Sequence, residues 1–221
     1  MFIAAHWKKL VALVVALIVA SGALCYFVPV FKINNVEVNG SVHAAPSDVE
    51  ATSGIVRGAN ILRLKESDVA ANVAALPWVG KVSVHRSFPT TVTINIDERQ
   101  AVLYAKRNDG EHLIDAGGKP FVIDVPPPGV VEISGTREDN TRLYATAISI
   151  VQSLDPDTRG ALERIDAKSE YEFTLFLAGG KEVYWGSAEQ AHDKALATRA
   201  VMKREGARWN VSSPGLITLR P

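Results

Sequence analysis

Residues 79–98 read VGKVSVHRSFPTTVTINIDE and contain two segments in which apolar and polar side chains alternate. The segments are Val79–Arg86 and Thr91–Glu98, and Ser-Phe-Pro-Thr separates them. Alternation with a period of two places every second side chain on one face, which is typical of a strand with one buried face. Two such strands joined by a short turn predict a β-hairpin.

The sequence before this hairpin predicts one more strand and two helices. Val36–Val38 alternates and predicts a strand. Ser47 is followed three residues later by Glu50, which is the pattern of a capping box and predicts the start of a short helix. Ser67 is the predicted N-cap of a second helix. The predicted order over residues 32–100 is strand, helix, helix, strand, strand.

Residues 10–31 read LVALVVALIVASGALCYFVPVF and contain no charged side chain. A helix of this length would extend about 33 Å, close to the hydrocarbon thickness of a bilayer, about 30 Å. The segment is therefore predicted to be a transmembrane helix that contacts membrane lipid, with Pro29 at its exit. Lys8 and Lys9 precede it without any acidic residue, which predicts a cytoplasmic tail over residues 1–9. The rest of the chain, from residue 32 onward, would then lie outside the cytoplasm.

A cleaved signal peptide is the second interpretation of this apolar segment. Signal peptides have an apolar core of about 7 to 15 residues that ends at small residues near the cleavage site. The apolar run of this chain is longer and continues past Ser21-Gly22-Ala23. This difference favours an uncleaved membrane anchor.

The charge balance and the cysteine content exclude several classes of function. The chain has 24 basic and 24 acidic residues, so it lacks the excess of positive charge that is typical of nucleic-acid-binding proteins. Nucleic acid is therefore not expected as a partner. Its single cysteine, Cys25, lies in the apolar segment. The remainder of the chain therefore has no disulfide and no cysteine ligand or nucleophile.

Residues 101–221 are predicted to form a mixed β domain with two longer helices. Short alternating segments separated by turn residues follow Ala101. The first helix is predicted from about Asp139 to Leu154 because apolar residues recur there at helical spacing. Ser187 and Gln190 have capping-box spacing and predict a second helix that ends near Gly206.

Several phrases of the sequence resemble one known family. They are FKI and VEVNG within residues 31–40, LPWV at 76–79, VSVHR at 82–86, FP at 88–89, TVTI at 91–94 and ERQA at 98–101. Together with the short tail and single span, these phrases resemble the FtsQ/DivIB family of bacterial cell-division proteins. The resemblance implies an α+β protein with a POTRA domain at residues 32–100 and a C-terminal β domain at residues 101–221.

The resemblance also implies a binding site near the C-terminus. In the FtsQ/DivIB family, C-terminal strands receive a strand from the coiled-coil protein FtsB/DivIC, which pairs with FtsL. The matching partner-binding candidates in this sequence are Trp209, Val211, Leu216, Ile217, Thr218 and Leu219. Ser212-Ser213 stands where some members have an Arg-Tyr pair, so contacts of those side chains do not carry over. A last strand is predicted at Leu216–Leu219. It also has a purely structural interpretation, in which it packs against its own domain.

No residue pattern in the sequence predicts catalysis, a metal site or a cofactor. The five histidines, at positions 6, 43, 85, 112 and 192, match no metal-ligand spacing. His112 and Asp115 are the nearest approach to a catalytic pair, but no nucleophile motif accompanies them. We therefore predict a protein that is not an enzyme.

The function implied by the resemblance is assembly. We predict a single-pass membrane protein of the bacterial division septum, with its C-terminus outside the cytoplasm. It would recruit FtsB/DivIC and FtsL and, through them, help to control the septal peptidoglycan synthase. The alternative is a membrane-tethered POTRA chaperone in secretion or envelope assembly.

Overall fold

The computed structural model describes residues 3–28, 30–136 and 140–220, and it begins with a long apolar helix. This helix, α1 (Ile3–Phe27), contains 18 consecutive residues, Leu10–Phe27, with a mean hydropathy of 2.6 and no residue buried against the rest of the chain. By length and composition it can cross a membrane. It ends four residues before the predicted limit at Phe31, and Pro29, the predicted exit, lies outside the described residues.

The chain divides into two units, Met1–Arg99 and Gln100–Pro221. After α1, the first unit contains β1 (Asn35–Asn39), α2 (Pro46–Ser53), a 3-10 turn (Ile61–Arg63), α3 (Glu66–Val73), β2 (Val79–Ser87) and β3 (Thr91–Glu98). The order of the sheet is β1-β3-β2, with β1 parallel and β2 antiparallel to β3. The predicted order of strands and helices is confirmed.

The predicted N-caps of α2 and α3 are wrong. Both helices begin one residue before the predicted serine, and neither has a capping hydrogen bond from a side chain. Glu50, which would complete the predicted capping box of α2, is instead in an ion pair with Arg57. Arg57 lies in the loop after α2, outside the Ser-x-x-Glu segment that the capping-box pattern covers.

The second unit is built on a nine-stranded sheet with the order β12-β11-β10-β9-β8-β7-β4-β5-β6. Its strands are β4 (Ala101–Arg107), β5 (Gly110–Asp115), β6 (Pro120–Ile123), β7 (Val131–Ser134), β8 (Leu162–Ser169), β9 (Glu172–Leu177), β10 (Lys181–Gly186), β11 (Arg208–Asn210) and β12 (Thr218–Leu219). Its helices are α4 (Thr141–Ser153), α5 (Pro156–Gly160) and α6 (Ala191–Met202). The predicted mixed α+β class, with two longer helices, is confirmed.

One face of this sheet carries the core of the second unit. Alternate residues of β9, which are Phe173, Leu175 and Leu177, are buried together with side chains of α4 and α6. The residues between them on β9 are only partly buried. Such alternation is what a strand needs when helices cover only one face of its sheet.

Two predicted boundaries in the second unit differ from the structure, and both belong to α6. A third, the predicted start of α4 at about Asp139, lies outside the described residues. Gln190 adopts a left-handed conformation before α6 and makes no capping bond, so the second capping box is also wrong. Helix α6 ends at Met202 rather than near Gly206, because the Lys181 ammonium group donates hydrogen bonds to the carbonyls of Val201, Met202 and Arg204.

Candidate partner-binding edge

The last strand, β12, forms one edge of the nine-stranded sheet. It pairs antiparallel with β11, with Trp209 opposite Leu219 and Asn210 opposite Thr218. Strand β11 in turn pairs parallel with β10, so α6 forms the crossover of a β-α-β unit. The C-terminal strand β12 is thus attached to this β-α-β unit through β11.

The hydrogen-bond pattern shows which backbone groups β12 leaves available. The Arg220 N–H donates to the Arg208 carbonyl over 2.9 Å, so these two residues form a hydrogen-bonded pair. Hydrogen-bonded and non-hydrogen-bonded pairs alternate along antiparallel strands. The pair of Trp209 and Leu219 is therefore of the second kind, and the N–H and C=O of Leu219 point away from β11. No described strand lies on that side.

The predicted strand at Leu216–Leu219 is shorter in the structure. The Leu216 N–H donates to the Ser213 carbonyl over 2.8 Å, so Leu216 closes a turn instead of pairing with β11. Only Thr218 and Leu219 form the strand. A partner that adds to this edge would extend a strand that is very short by itself.

Gly206 allows a close contact between β12 and β11. Its φ is +120°, and a Cβ at this position would lie 2.5 Å from Leu219 Cδ1 and 3.3 Å from the Trp209 ring. The Trp209 indole N–H also donates to the Gly206 carbonyl over 3.1 Å. The absence of a side chain at Gly206 therefore lets Leu219 lie close to Trp209.

The six predicted partner-binding residues fall into two groups. Trp209 is 8% exposed and Val211 is fully buried, so both side chains belong to the core. Leu216 and Leu219 are 70% and 58% exposed, Thr218 is exposed, and Ile217 packs partly against the core. The structure thus brings the six residues into one region, but only four of them have side chains at or near its surface.

A shallow groove of about 470 Å³ lies beside this edge, between α6 and the turn before β12. It is lined by Asp193, Leu196, Ala197, Pro214, Gly215 and Ile217. Leu196 is largely exposed on α6. The groove therefore presents apolar surface next to unpaired backbone groups, a combination that suits a segment which adds a strand and then packs a side chain.

Arginine side chains surround the same edge. Arg208 and Arg220 are exposed and are in no ion pair with another residue that the structure describes. Arg220 lies over the Tyr184 ring, 4.8 Å from its centroid, and Arg204 lies 6.0 Å from the Trp209 centroid. The pairing of β12 with β11 brings Arg220 beside Arg208, and a single sequence does not reveal this pairing.

The one histidine that suggested chemistry has a structural partner. His112 is buried, and its ring nitrogen lies 2.9 Å from a carboxylate oxygen of Asp109 in the turn between β4 and β5. Asp115, the predicted partner, accepts hydrogen bonds from the N–H groups of Gly117 and Lys119. Among the described residues, no group of three or more His, Cys, Asp or Glu side chains is placed to hold a metal ion.

The sequence was compared with known proteins. Residues 31–99 match the family model described as a POTRA domain of FtsQ type. A cell division protein FtsQ from Corynebacterium glutamicum is 39% identical over 220 residues, which cover 96% of this chain and 99% of that relative. The chain belongs to the FtsQ family of cell-division proteins. Both the resemblance seen in the sequence and the POTRA fold are confirmed.

Other FtsQ relatives differ in length from this one. The FtsQ protein of Mycolicibacterium smegmatis is 33% identical over 95% of this chain, but the match covers only 63% of that relative. A solved structure of the major extracytoplasmic domain of the cell division protein DivIB from Geobacillus stearothermophilus matches 49% of this chain and 99% of its own, at 16% identity and a TM-score of 0.36. Membership of the FtsQ family gives this chain a role in cell division.

Proposed function

We propose that this FtsQ-family protein is a non-enzymatic scaffold, anchored by α1 in the cell membrane at the division septum. Its two outer units lie on the extracytoplasmic side in this proposal. It recruits FtsB/DivIC and FtsL, and through them it helps to control the septal peptidoglycan synthase. The observation that carries the proposal is the short edge strand β12, whose Leu219 backbone groups face outward beside an apolar groove.

Strand addition is the binding mode that this edge favours. An exposed edge offers N–H and C=O groups as a template for a further strand, and main-chain hydrogen bonds then supply affinity. Exposed Leu216 and Leu219 and the groove beside α6 provide apolar contacts for alternate side chains of the added segment. Arg208 and Arg220 favour a segment with acidic side chains.

The core position of Trp209 and Val211 gives these two residues a supporting role in the proposal. They hold β11 in place, and β11 holds β12, while contacts with the partner come from β12 and the turn before it. Truncation of Trp209 would then weaken binding by loosening the edge, with no loss of a direct contact. The four residues from Leu216 to Leu219 are the proposed contact residues.

Replacement of Leu219 by proline tests the proposal, because it removes a single backbone donor, the Leu219 N–H. The Leu219 N–H points away from β11, so proline removes an outward donor and leaves the β11 to β12 hydrogen bonds in place. Binding of the full chain in detergent to the outer segment of the FtsB/DivIC protein of the same organism is measured. We expect Leu219→Pro to weaken binding by about tenfold or more. The variant loses the hydrogen bond from the Leu219 N–H to the added strand, and the proline ring would clash with that strand.

Leu219→Ala is the matched control, because it shortens the side chain and keeps the N–H. We expect a smaller loss of affinity from this variant. Equal binding by wild type and Leu219→Pro would exclude strand addition at β12. Absence of binding by the wild-type protein would contradict recruitment of this partner.

A further inference from the structure

A pocket of about 560 Å³ lies in the first unit, beside the C-terminal end of α1. Phe27 of α1 forms one side, and residues around Gly54, Val56 and Gly58 form another. Arg63 and Lys65 line it as cationic residues, and Asp68 is its acidic residue. The pocket thus joins apolar surface of the membrane helix to positively charged side chains.

Hydrogen bonds fix the position of this pocket relative to α1. The Asn60 amide nitrogen donates to the carbonyls of Cys25, Tyr26 and Val28. The Ile61 N–H donates to the Phe31 carbonyl over 2.9 Å. These contacts hold the segment that carries Arg63 and Lys65 at the level where the apolar helix ends. In a bilayer, that level is where the lipid headgroups lie.

Arg63 and Lys65 have positive charge available for a ligand. Arg63 is exposed, lies 5.8 Å from the centroid of the Tyr26 ring, and is in no ion pair with another residue that the structure describes. Lys65 and Asp68 are 3.9 Å apart with both side chains largely exposed, which makes a weak pair. Arg57, by contrast, binds Glu50 through two nitrogens and is occupied.

Exposed apolar residues lie at the same end of the unit. Val56, which lines the pocket, is 68% exposed. Phe88, 57% exposed, contacts Phe31 edge-to-face with ring centroids 6.1 Å apart. Exposed apolar side chains next to cationic ones match the interface of a bilayer, where aromatic rings and Lys or Arg side chains are favoured.

We propose that this pocket binds the phosphate-bearing headgroup of an anionic glycerophospholipid in the leaflet where α1 ends. Arg63 and Lys65 donate to the phosphate oxygens, as charge-assisted hydrogen bonds require. Val56 and Phe27 contact the glycerol backbone and the upper part of the acyl chains. Such a lipid would hold the first unit against the membrane surface. The inference rests on the membrane anchoring proposed above.

The test uses the full chain in nanodiscs of phosphatidylcholine alone or of phosphatidylcholine with phosphatidylglycerol. Hydrogen exchange of the segment 54–65 is measured by mass spectrometry. We expect phosphatidylglycerol to slow exchange of this segment in the wild type by about tenfold, a change of the order expected from charge-assisted contacts. The double variant Arg63→Gln/Lys65→Gln should lose this difference.

The control variant Lys81→Gln/Lys203→Gln removes the same number of positive charges from exposed positions outside the pocket. It should keep the response to phosphatidylglycerol. A loss of the response in this variant as well would show that general surface charge, and not the pocket, attracts the lipid. Circular dichroism of each variant verifies that the exposed substitutions leave the fold intact.

Inorganic phosphate added to phosphatidylcholine nanodiscs distinguishes a lipid from a free anion. Equal protection by inorganic phosphate would overturn the lipid proposal and indicate a site for a free anion. Equal exchange in both kinds of nanodisc, with the chain inserted, would overturn the pocket proposal alone. Failure of the chain to insert into nanodiscs would contradict the membrane anchoring itself. Partner binding at β12 is measured in a separate experiment, and its outcome does not depend on the lipid response.

Discussion

The side-chain nitrogen of Asn60 lies 2.8 Å from the carbonyl oxygen of Cys25, near the end of α1. The last carbonyls of a helix have no partner within the helix, and Asn60 also donates to that of Tyr26 in the last turn of α1 and to that of Val28 just after it. Its Oδ1 accepts the Leu62 N–H over 3.0 Å and caps the 3-10 turn. One buried amide thus connects the apolar helix to the POTRA domain.

Asn60→Asp separates these two roles of the amide. Aspartate can still accept the Leu62 N–H, but it places a negative oxygen against carbonyls that had received a hydrogen bond. We expect a loss of about 1–3 kcal/mol in the stability of this junction. The measurement is hydrogen exchange of the Gly58 and Ile61 amides, which bind the carbonyls of Ile33 and Phe31.

Asn39→Asp is the control for this prediction, since Asn39 is exposed and its side-chain amide donates to the Asn95 Oδ1 over 3.1 Å, far from this junction in the sequence. It should leave the exchange of Gly58 and Ile61 unchanged. Similar exchange in Asn60→Asp and wild type would show that the amide does not hold the junction.

The Glu98 carboxylate holds the loop before α2 by accepting several hydrogen bonds. It receives the N–H groups of Val42, His43 and Ala44 and the His43 ring nitrogen, which lies 2.8 Å away. Burial of this carboxyl raises its pKa, but the hydrogen bonds from the Ala44 N–H, the His43 ring and the Val42 N–H outweigh burial, so the pKa is lowered. The His43 ring also stacks on Trp78, with centroids 4.0 Å apart.

Glu98→Gln should destabilise this loop by about 1–3 kcal/mol at neutral pH, because an amide oxygen is a weaker acceptor than a carboxylate. A carboxyl with a lowered folded-state pKa stabilises the fold above its ordinary pKa, and the stabilisation is lost as pH falls through the lowered value. The difference between wild type and Glu98→Gln should therefore shrink below pH 4.5, the ordinary value. Exchange of the Val42–Ala44 amides across this pH range measures it.

Glu37→Gln provides the comparison for Glu98, because Glu37 is exposed on β1. It should change the exchange of Val42–Ala44 little at any pH. A difference between wild type and Glu98→Gln that stays constant as the pH is lowered would contradict the role of the charged carboxylate.

Local patterns predicted the sheet of the first unit well and the helix caps poorly. Alternation in β2 and β3 depends only on which face of a strand is buried, and the structure confirms both strands. A Ser-x-x-Glu pattern predicts a cap only if the acidic side chain has no better partner, and Glu50 pairs with Arg57 in the loop after α2. The capping role of Asn60 follows from contacts with residues more than 30 positions away, which a single sequence does not reveal.

The C-terminal site was predicted from family resemblance, and the structure divides its six residues between the core and the surface. The predicted strand over Leu216–Leu219 is shorter in the structure, because the turn that Leu216 closes leaves only two residues in β12. The side chains of Trp209 and Val211 are buried in the core of the second unit and do not lie on the surface of the site. The juxtaposition of Arg208 with Arg220 depends on strand register and had no signal in the sequence.

Gly206→Ala should loosen the candidate edge. A Cβ at Gly206 would lie 2.5 Å from Leu219 Cδ1, and the φ of +120° is strained for alanine. We expect a loss of about 1–3 kcal/mol in stability and weaker binding of the strand-adding partner. Gly179→Ala is the matched control, because Gly179 has a φ of +80° and nothing within 4 Å of the added Cβ.

Thermal unfolding and partner affinity of the two glycine variants are compared. Gly179→Ala should show the cost of backbone strain alone and keep its affinity for the partner. If Gly206→Ala binds the partner as well as Gly179→Ala does, the position of Leu219 beside Trp209 is not needed for binding.

Reversal of charge at Arg208 and Arg220 tests whether the edge selects an acidic segment. Both arginines are exposed beside β12, and a complementary charge on the partner would accelerate association through electrostatic steering. We expect Arg208→Glu/Arg220→Glu to lower the association rate by about tenfold at low ionic strength. The difference from wild type should shrink as salt is added, because exposed charges are screened within about 10 Å at 0.1 M salt. Surface plasmon resonance over a salt series measures both effects.

Lys81→Glu/Lys119→Glu makes the same change in net charge at exposed positions outside β11 and β12, one on β2 of the first unit and one next to β6 at the other edge of the nine-stranded sheet. If steering acted through net charge alone, this variant would slow association as much as the arginine variant does. A selective effect of Arg208→Glu/Arg220→Glu on the association rate, with the salt dependence lost, would locate the acidic partner segment at β12. An effect confined to the dissociation rate would mean that the arginines act as contacts in the bound complex and do not steer it.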